Sequence, residues 1–168
     1  FTVADFASQS GQVFVIHSLT KFYALPGLRL GFGIAPEAVI QGLMEQTDVW
    51  HVNTLAQTAG IEALAETAYQ KASRTLVREE RDWMSRMLSC IPGVTICQPS
   101  VNFILCHIRQ TGLTATVLAG HMQEQGILIR DCSNYPGLDS YYIRLAVRSR
   151  EENEYVVETI KACLKNKS

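Results

Sequence analysis

The run His17-Ser18-Leu19-Thr20-Lys21-Phe22-Tyr23-Ala24-Leu25-Pro26-Gly27-Leu28-Arg29-Leu30-Gly31 decides how this chain is read. It follows a short apolar stretch, Val13 to Ile16, expected as a buried strand, and Leu30 to Ile34 is expected as a second one beyond it. Between them stand a hydroxyl, a lysine and, eight residues past the lysine, an arginine, with Gly27 and Gly31 breaking the backbone. A lysine at the mouth of an apolar sheet is poised to lose its proton, because desolvation disfavours the ammonium. The neutral amine can then form a Schiff base with an aldehyde. Ser18 offers a hydrogen bond to a phosphate and Arg29 a bidentate pair. An amine for an aldehyde and donors for a phosphate are the parts needed to hold pyridoxal 5′-phosphate. A lone lysine is usually a surface residue; the whole pattern is what favours the cofactor reading.

That pattern, S-L-T-K-x-Y-x-L-P-G-L-R-x-G, resembles the lysine signature of fold-type I, aspartate-aminotransferase-like enzymes of class I/II. The resemblance implies that Lys21 is the catalytic residue and forms the Schiff base with pyridoxal 5′-phosphate. It implies that Ser18 and Arg29 bind the cofactor phosphate. It also implies a C-terminal portion of such an enzyme: the end of the large-domain α/β sheet over 1–48, a long connecting helix over 49–91, and a small α+β C-terminal domain over 92–168. In that family the lysine lies past the middle of the chain. The glycine- or serine-rich turn, the stacking aromatic and the aspartate facing the pyridine nitrogen have no counterpart here, and Asp5, in Val3-Ala4-Asp5-Phe6, does not match that aspartate. The family further implies a homodimer for the full-length enzyme.

Composition bounds the other possibilities. With 168 residues and 47% hydrophobic content the chain can build a real core. A net charge of -1 gives no electrostatic case for nucleic acid or an acidic membrane. The apolar runs fall far short of the roughly 20 residues of a membrane helix. Cys90, Cys97, Cys106, Cys132 and Cys163 are scattered without C-x-x-C spacing, as expected of reduced packing residues in a cytoplasmic protein.

Further along, Pro36-Glu37 opens a short amphipathic helix with Val39, Ile40, Leu43 and Met44 at helical spacing. The segment Trp50-His51-Val52-Asn53-Thr54-Leu55-Ala56-Gln57 resembles the family's W-x-V-N-x-L-A-Q run. From about Asn53 to Ile91 helix formers continue without proline, with an apolar stripe of Leu76, Val77, Trp83, Met84, Met87, Leu88 and Ile91. Pro92-Gly93 ends it. Strands are expected at Val94 to Ile96, Val101 to Ile108, Ile127 to Ile129 and Tyr142 to Val147, with a helix from about Thr114 to Gln125. Ser149-x-x-Glu152 is a capping box for a last helix whose Val156, Val157, Ile160, Cys163 and Leu164 face inward.

A second constellation points to anions. Arg130 closes the Ile127 to Ile129 strand, and Arg144 lies fourteen residues later within Tyr142-Ile143-Arg144-Leu145-Ala146. An arginine among apolar strand residues is costly unless an anion meets it. On spacing alone an internal ion pair, Arg130 with Asp131 or Asp139, serves as well. By resemblance, Arg144 matches the family arginine that clamps a substrate carboxylate, and Arg130 the second arginine of the branch whose substrates carry a phosphate. That branch contains histidinol-phosphate aminotransferases and the L-threonine O-3-phosphate decarboxylases of cobalamin biosynthesis. The string I-R-D-C-S-N-Y-P-G-L with Y-I-R-x-A-V-R is closer to the decarboxylases, which implies conversion to (R)-1-amino-2-propanol phosphate.

Asn102 matches a family asparagine near the substrate end of the cleft, and a strand-start asparagine is the plainer reading. Tyr23 reads as packing. His17, His51, His107 and His121 read as structural, with no metal spacing. Three functions follow: decarboxylation, transamination with the freed lysine as base, or a folded fragment that lacks the rest of the cofactor site. Which bond to Cα stands perpendicular to the cofactor ring separates the first two.

Overall fold

Around the lysine run the chain pairs with itself. The computed structural model describes residues 2–165. After a single turn of helix, α1 (Ala4–Ala7), strand β1 (Val15–Ser18) runs antiparallel to β2 (Gly31–Ile34), with Val15 opposite Ile34 and Ser18 opposite Gly31. A Cβ at residue 31 would lie 2.7 Å from the His17 carbonyl oxygen, so glycine lets the strands close beside Ser18. The strands differ from expectation in their burial. Most of their residues are exposed, Ile16 at 79%. A two-stranded ribbon cannot cover its own faces, and further layers are needed to bury apolar residues of this kind.

Helix α2 (Glu37–Met44) follows Pro36. Asn53 caps α3 (Thr54–Ala65), its Oδ1 accepting the Ala56 N–H at 2.9 Å. The single helix expected over 49–91 is interrupted. Glu66 leaves helical geometry (φ -75°, ψ 69°), and α4 (Thr67–Ser89) begins at the next residue. No proline or glycine marks the break. It falls where the chain divides into two compact units, Phe1–Thr67 and Ala68–Ser168, so the two helices serve separate cores.

The second unit is a two-layer α+β fold. Strands β3 (Thr95–Ile96), β4 (Phe103–His107), β5 (Arg130–Asp131) and β6 (Tyr142–Ala146) form an antiparallel sheet in the order β3-β4-β6-β5. Ile104, Cys106, Ile143 and Leu145 alternate onto one face. There they pack with Met84 and Leu88 of α4, Leu118 and Met122 of α5 (Ala115–Glu124), and Val157 and Ile160 of α6 (Arg150–Lys165). By the same alternation Phe103, Leu105, Tyr142 and Arg144 take the opposite face. The expected strand Ile127 to Ile129 does not form. Gly126 leaves α5 at φ +75°, and the Ile127 N–H still bonds the Met122 carbonyl at 2.9 Å, so the chain reaches the sheet only at Arg130. Leu76, placed in the apolar stripe, is exposed.

Glu80 ties α4 to the start of α6. It is buried, accepts Arg150 Nε and a terminal nitrogen at 3.0 and 2.9 Å, and accepts Asn153 Nδ2 at 3.1 Å. The Arg150 bonds, against the opposing effect of burial, hold the Glu80 carboxyl below its ordinary value. A carboxyl depressed in the folded state contributes stability that is present above its unfolded value and is lost as pH falls through the folded one. Thermal melts should therefore show stability falling in the acid range below about pH 4.5. Glu80→Gln should melt several degrees lower at neutral pH and lack that component of acid loss. Parallel pH profiles for the two proteins would remove Glu80 from the account.

Candidate active site

The lysine loop is held by its own backbone. The Leu19 N–H continues the β1–β2 ladder to the Leu30 carbonyl at 3.1 Å, and the Leu25 N–H bonds the Thr20 carbonyl at 3.1 Å. A 3-10 turn over Pro26–Leu28 follows. Ala24 and Arg29 both stand at φ 53°, the non-glycine residues in the left-handed region among the described residues. Such conformations cost on the order of 1–2 kcal/mol each and persist where the surroundings fix them, commonly at functional sites. Arg29 donates one N–H to the Pro26 carbonyl at 3.2 Å, which leaves most of a five-donor fork for a ligand.

Ser18 ends β1 with its Oγ 2.8 Å from Thr20 Oγ1, and the Thr20 N–H donates to the same Oγ at 3.3 Å. Thr20 is buried and was not among the residues expected to matter. The S-x-T spacing, two hydroxyls one residue apart at a strand end, is the signal that would have found it. Lys21 is exposed. The burial expected to drive off its proton is not supplied by the described residues, because the strands beside it are themselves uncovered. Ser18, at the end of β1, and Lys21 and Arg29, in the segment that leads to β2, thus belong to one hairpin of the first unit.

Arg130 and Arg144 come together in the second. They are direct partners across β5 and β6, so both side chains leave the same face of the sheet. Arg130 is exposed rather than buried, and it opens β5 instead of closing a strand. It donates to Asn134 Oδ1 at 3.0 Å and lies 5.4 Å from the Tyr135 ring centroid. Arg144 is half-buried and lies 5.0 Å from the Phe103 ring centroid. The ion-pair alternative is not realised: Asp139 pairs with Arg109 at 2.5 Å, and Asp131 accepts Thr116 Oγ1 at 2.7 Å and the Ser133 N–H at 2.8 Å. Like charges directly opposite each other in a sheet are destabilising, and an anion between them reverses the sign. Burial pushes the nearby Cys132 thiol up, although Arg144 and Arg130 pull the other way, so it is a neutral packing group. Asn102 sits just ahead of β4 with its side chain exposed, and its carbonyl accepts the Val147 N–H at 2.9 Å. Phe103, Asn134 and Tyr135, which steer the two guanidiniums, carried no distinguishing signal in the sequence. His107 lies against Tyr142, the ring centroids 4.7 Å apart and the planes tilted by 42°, in keeping with a structural role.

Residues 1–160 match the family model for aminotransferases of class I and II, and the chain belongs to that family. Threonine-phosphate decarboxylase of Salmonella typhimurium is 38% identical over 153 residues, covering 90% of this chain and 41% of that protein. Histidinol-phosphate aminotransferase of Methanosphaera stadtmanae is 30% identical over 154 residues, covering 92% of this chain and 42% of its own length. The crystal structure of the histidinol-phosphate aminotransferase from Clostridium acetobutylicum superposes with a TM-score of 0.90 at 26% identity, over 98% of this chain and 49% of that one. The chain therefore spans about two-fifths of the length of the curated relatives it matches, and its mixed helix and sheet fold is that of fold-type I enzymes.

Proposed function

We propose that this chain carries the cofactor lysine and the substrate arginines of a pyridoxal 5′-phosphate-dependent enzyme that decarboxylates L-threonine O-3-phosphate to (R)-1-amino-2-propanol phosphate, working as a homodimer in its full-length form. The observation that carries the reading is the pair Arg130 and Arg144, side by side on one sheet face with no carboxylate between them among the described residues. An amino acid bearing both a carboxylate and a phosphate supplies one anion to each guanidinium. The oxo acid of a transamination can also bring two anions, so the pair fits an acidic substrate class in either reaction, and the 38% identity to a threonine-phosphate decarboxylase favours decarboxylation.

The lysine loop fits two ends of the cofactor. Lys21 supplies the amine for its aldehyde, and the Ser18 hydroxyl and Arg29 fork supply donors for its phosphate. Pyridoxal 5′-phosphate, when bound, supplies the electron sink for the pair left on Cα as a bond breaks. The residues of this chain do the rest. Arg144 holds the substrate carboxylate, Arg130 holds the phosphate, and Asn102 stands near the substrate end of the cleft. In those roles the three would fix the pose of the substrate, and the pose would choose which bond to Cα breaks. When the carbon–carbon bond breaks and carbon dioxide leaves, Lys21 Nζ returns a proton to Cα.

Offering each substrate to the full-length protein tests the choice. Stoichiometric carbon dioxide from L-threonine O-3-phosphate, independent of any oxo acid, is expected. Efficient oxo-acid-dependent amine exchange with histidinol phosphate, and no carbon dioxide from the threonine ester, would establish the aminotransferase instead.

A further inference from the structure

A buried acid and a buried amide meet where the strand carrying Arg144 ends. β6 has β4 along its whole length, but on its other side β5 contributes only Arg130 opposite Arg144 and Asp131 opposite Ile143. Past Arg144 that outer edge opens on a cavity of about 380 Å³, lined by Ile127, Leu128, Ile129, Leu145 and Ala146 among others. The lateral hold that a neighbouring strand would give is taken over by Asn153, which is 1% exposed. Its Oδ1 accepts the Arg148 N–H at 2.9 Å, and its Nδ2 donates to the Arg148 carbonyl at 3.0 Å and to Glu80 at 3.1 Å. An amide that bonds both backbone groups of one residue fixes that residue in place and in twist. Glu80, gripped in turn by Arg150, fixes the amide. One residue earlier the Val147 N–H bonds the Asn102 carbonyl.

We infer that Glu80 and Asn153 are positioning residues for Arg144, holding the free end of its strand so that the guanidinium meets the substrate carboxylate. The inference rests on the reading of Arg144 given above. Glu80 and Asn153 add to stability, but stability alone does not call for a buried amide that bonds both backbone groups of one residue beyond a strand end. A fixed geometry is a sufficient one, because a recognition side chain works only when the groups behind it hold it still.

The test is steady-state kinetics of the full-length enzyme with L-threonine O-3-phosphate, well below the melting temperature. Glu80→Gln and Arg150→Gln should each raise KM roughly fivefold, with kcat changed less than about twofold. Arg150 is half-exposed and its replacement opens no internal cavity, so it serves as the second variant where the buried one does not fold. In an Arg144→Lys background, Glu80→Gln should shift KM by less than about 1.5-fold, because the positioned group is already altered. Unchanged KM in folded variants that merely melt earlier would overturn the inference, and so would equal shifts in both backgrounds. Arg144→Lys alone leaving KM unchanged would be a separate failure, that of the substrate reading itself.

Discussion

Lys21→Ala in the full-length enzyme is expected to abolish covalent retention of the cofactor and to lower kcat/KM by a factor of ~10³ or more. The size follows from losing both roles proposed for Lys21 at once, the amine that holds the aldehyde and the group that returns the proton to Cα. General acid–base catalysis alone is worth about 10²–10⁴, and residues acting as one unit lose most of their effect when any is removed. Borohydride reduction of the holoenzyme followed by peptide mapping checks the assignment directly. The phosphopyridoxyl group should lie on Lys21; Lys161, by contrast, is engaged with Glu158 at 2.7 Å. Label on Lys71 or any other lysine would sink the assignment. Titrating residues 1–168 alone with pyridoxal 5′-phosphate tests the third possibility, a folded fragment that lacks the rest of the cofactor site. Lys21 is exposed here and its strands uncovered, so cofactor binding by this stretch alone should be weak and without turnover. A stable absorbance change with turnover would show that these residues suffice.

The lysine loop was legible because its signals are local. Lys21, Ser18 and Arg29 lie within twelve residues of one another, and Gly31 is demanded by a backbone contact to His17 across the same hairpin. Caps were legible for the same reason: Ser149 and Glu152 form the expected box, with Ser149 Oγ 2.8 Å from Glu152 Oε2. What was missed depends on distance along the chain. Glu80 meets Arg150 seventy residues away, and no periodicity announces such a pair. The spacing of Arg130 and Arg144 suggested a shared cleft but not that they are cross-strand partners, because register is set by where the chain after Gly126 reaches the sheet. The burial of β1 and β2 was misjudged for a plainer reason. Apolar sequence states that a strand is suited to burial, and only its neighbours supply the cover. The break at Glu66 has no residue-level signal at all, and it follows from the two helices belonging to different cores.

Arg144→Gln should separate binding from folding more sharply than any other single change. Its activity cost is large. A bidentate, charge-assisted contact to a carboxylate is worth about 1.5–3 kcal/mol, so kcat/KM for L-threonine O-3-phosphate should fall about 10- to 150-fold, chiefly through KM. Its stability cost should be close to nothing, because two effects of opposite sign offset. Removing the charge relieves repulsion from Arg130 directly across the strand pair, worth about 0.2–1 kcal/mol. It also forfeits the contact with Phe103 at 5.0 Å, about 0.5–1 kcal/mol at a partly exposed site. The melting temperature in low-phosphate buffer should therefore stay within a degree or two of the parent. Added substrate should raise it in the parent and hardly at all in the variant, since stabilisation by a ligand scales with its affinity for the folded state. A variant that loses activity together with a large drop in melting temperature would make Arg144 a structural residue. One that keeps its KM would show that the carboxylate is held elsewhere.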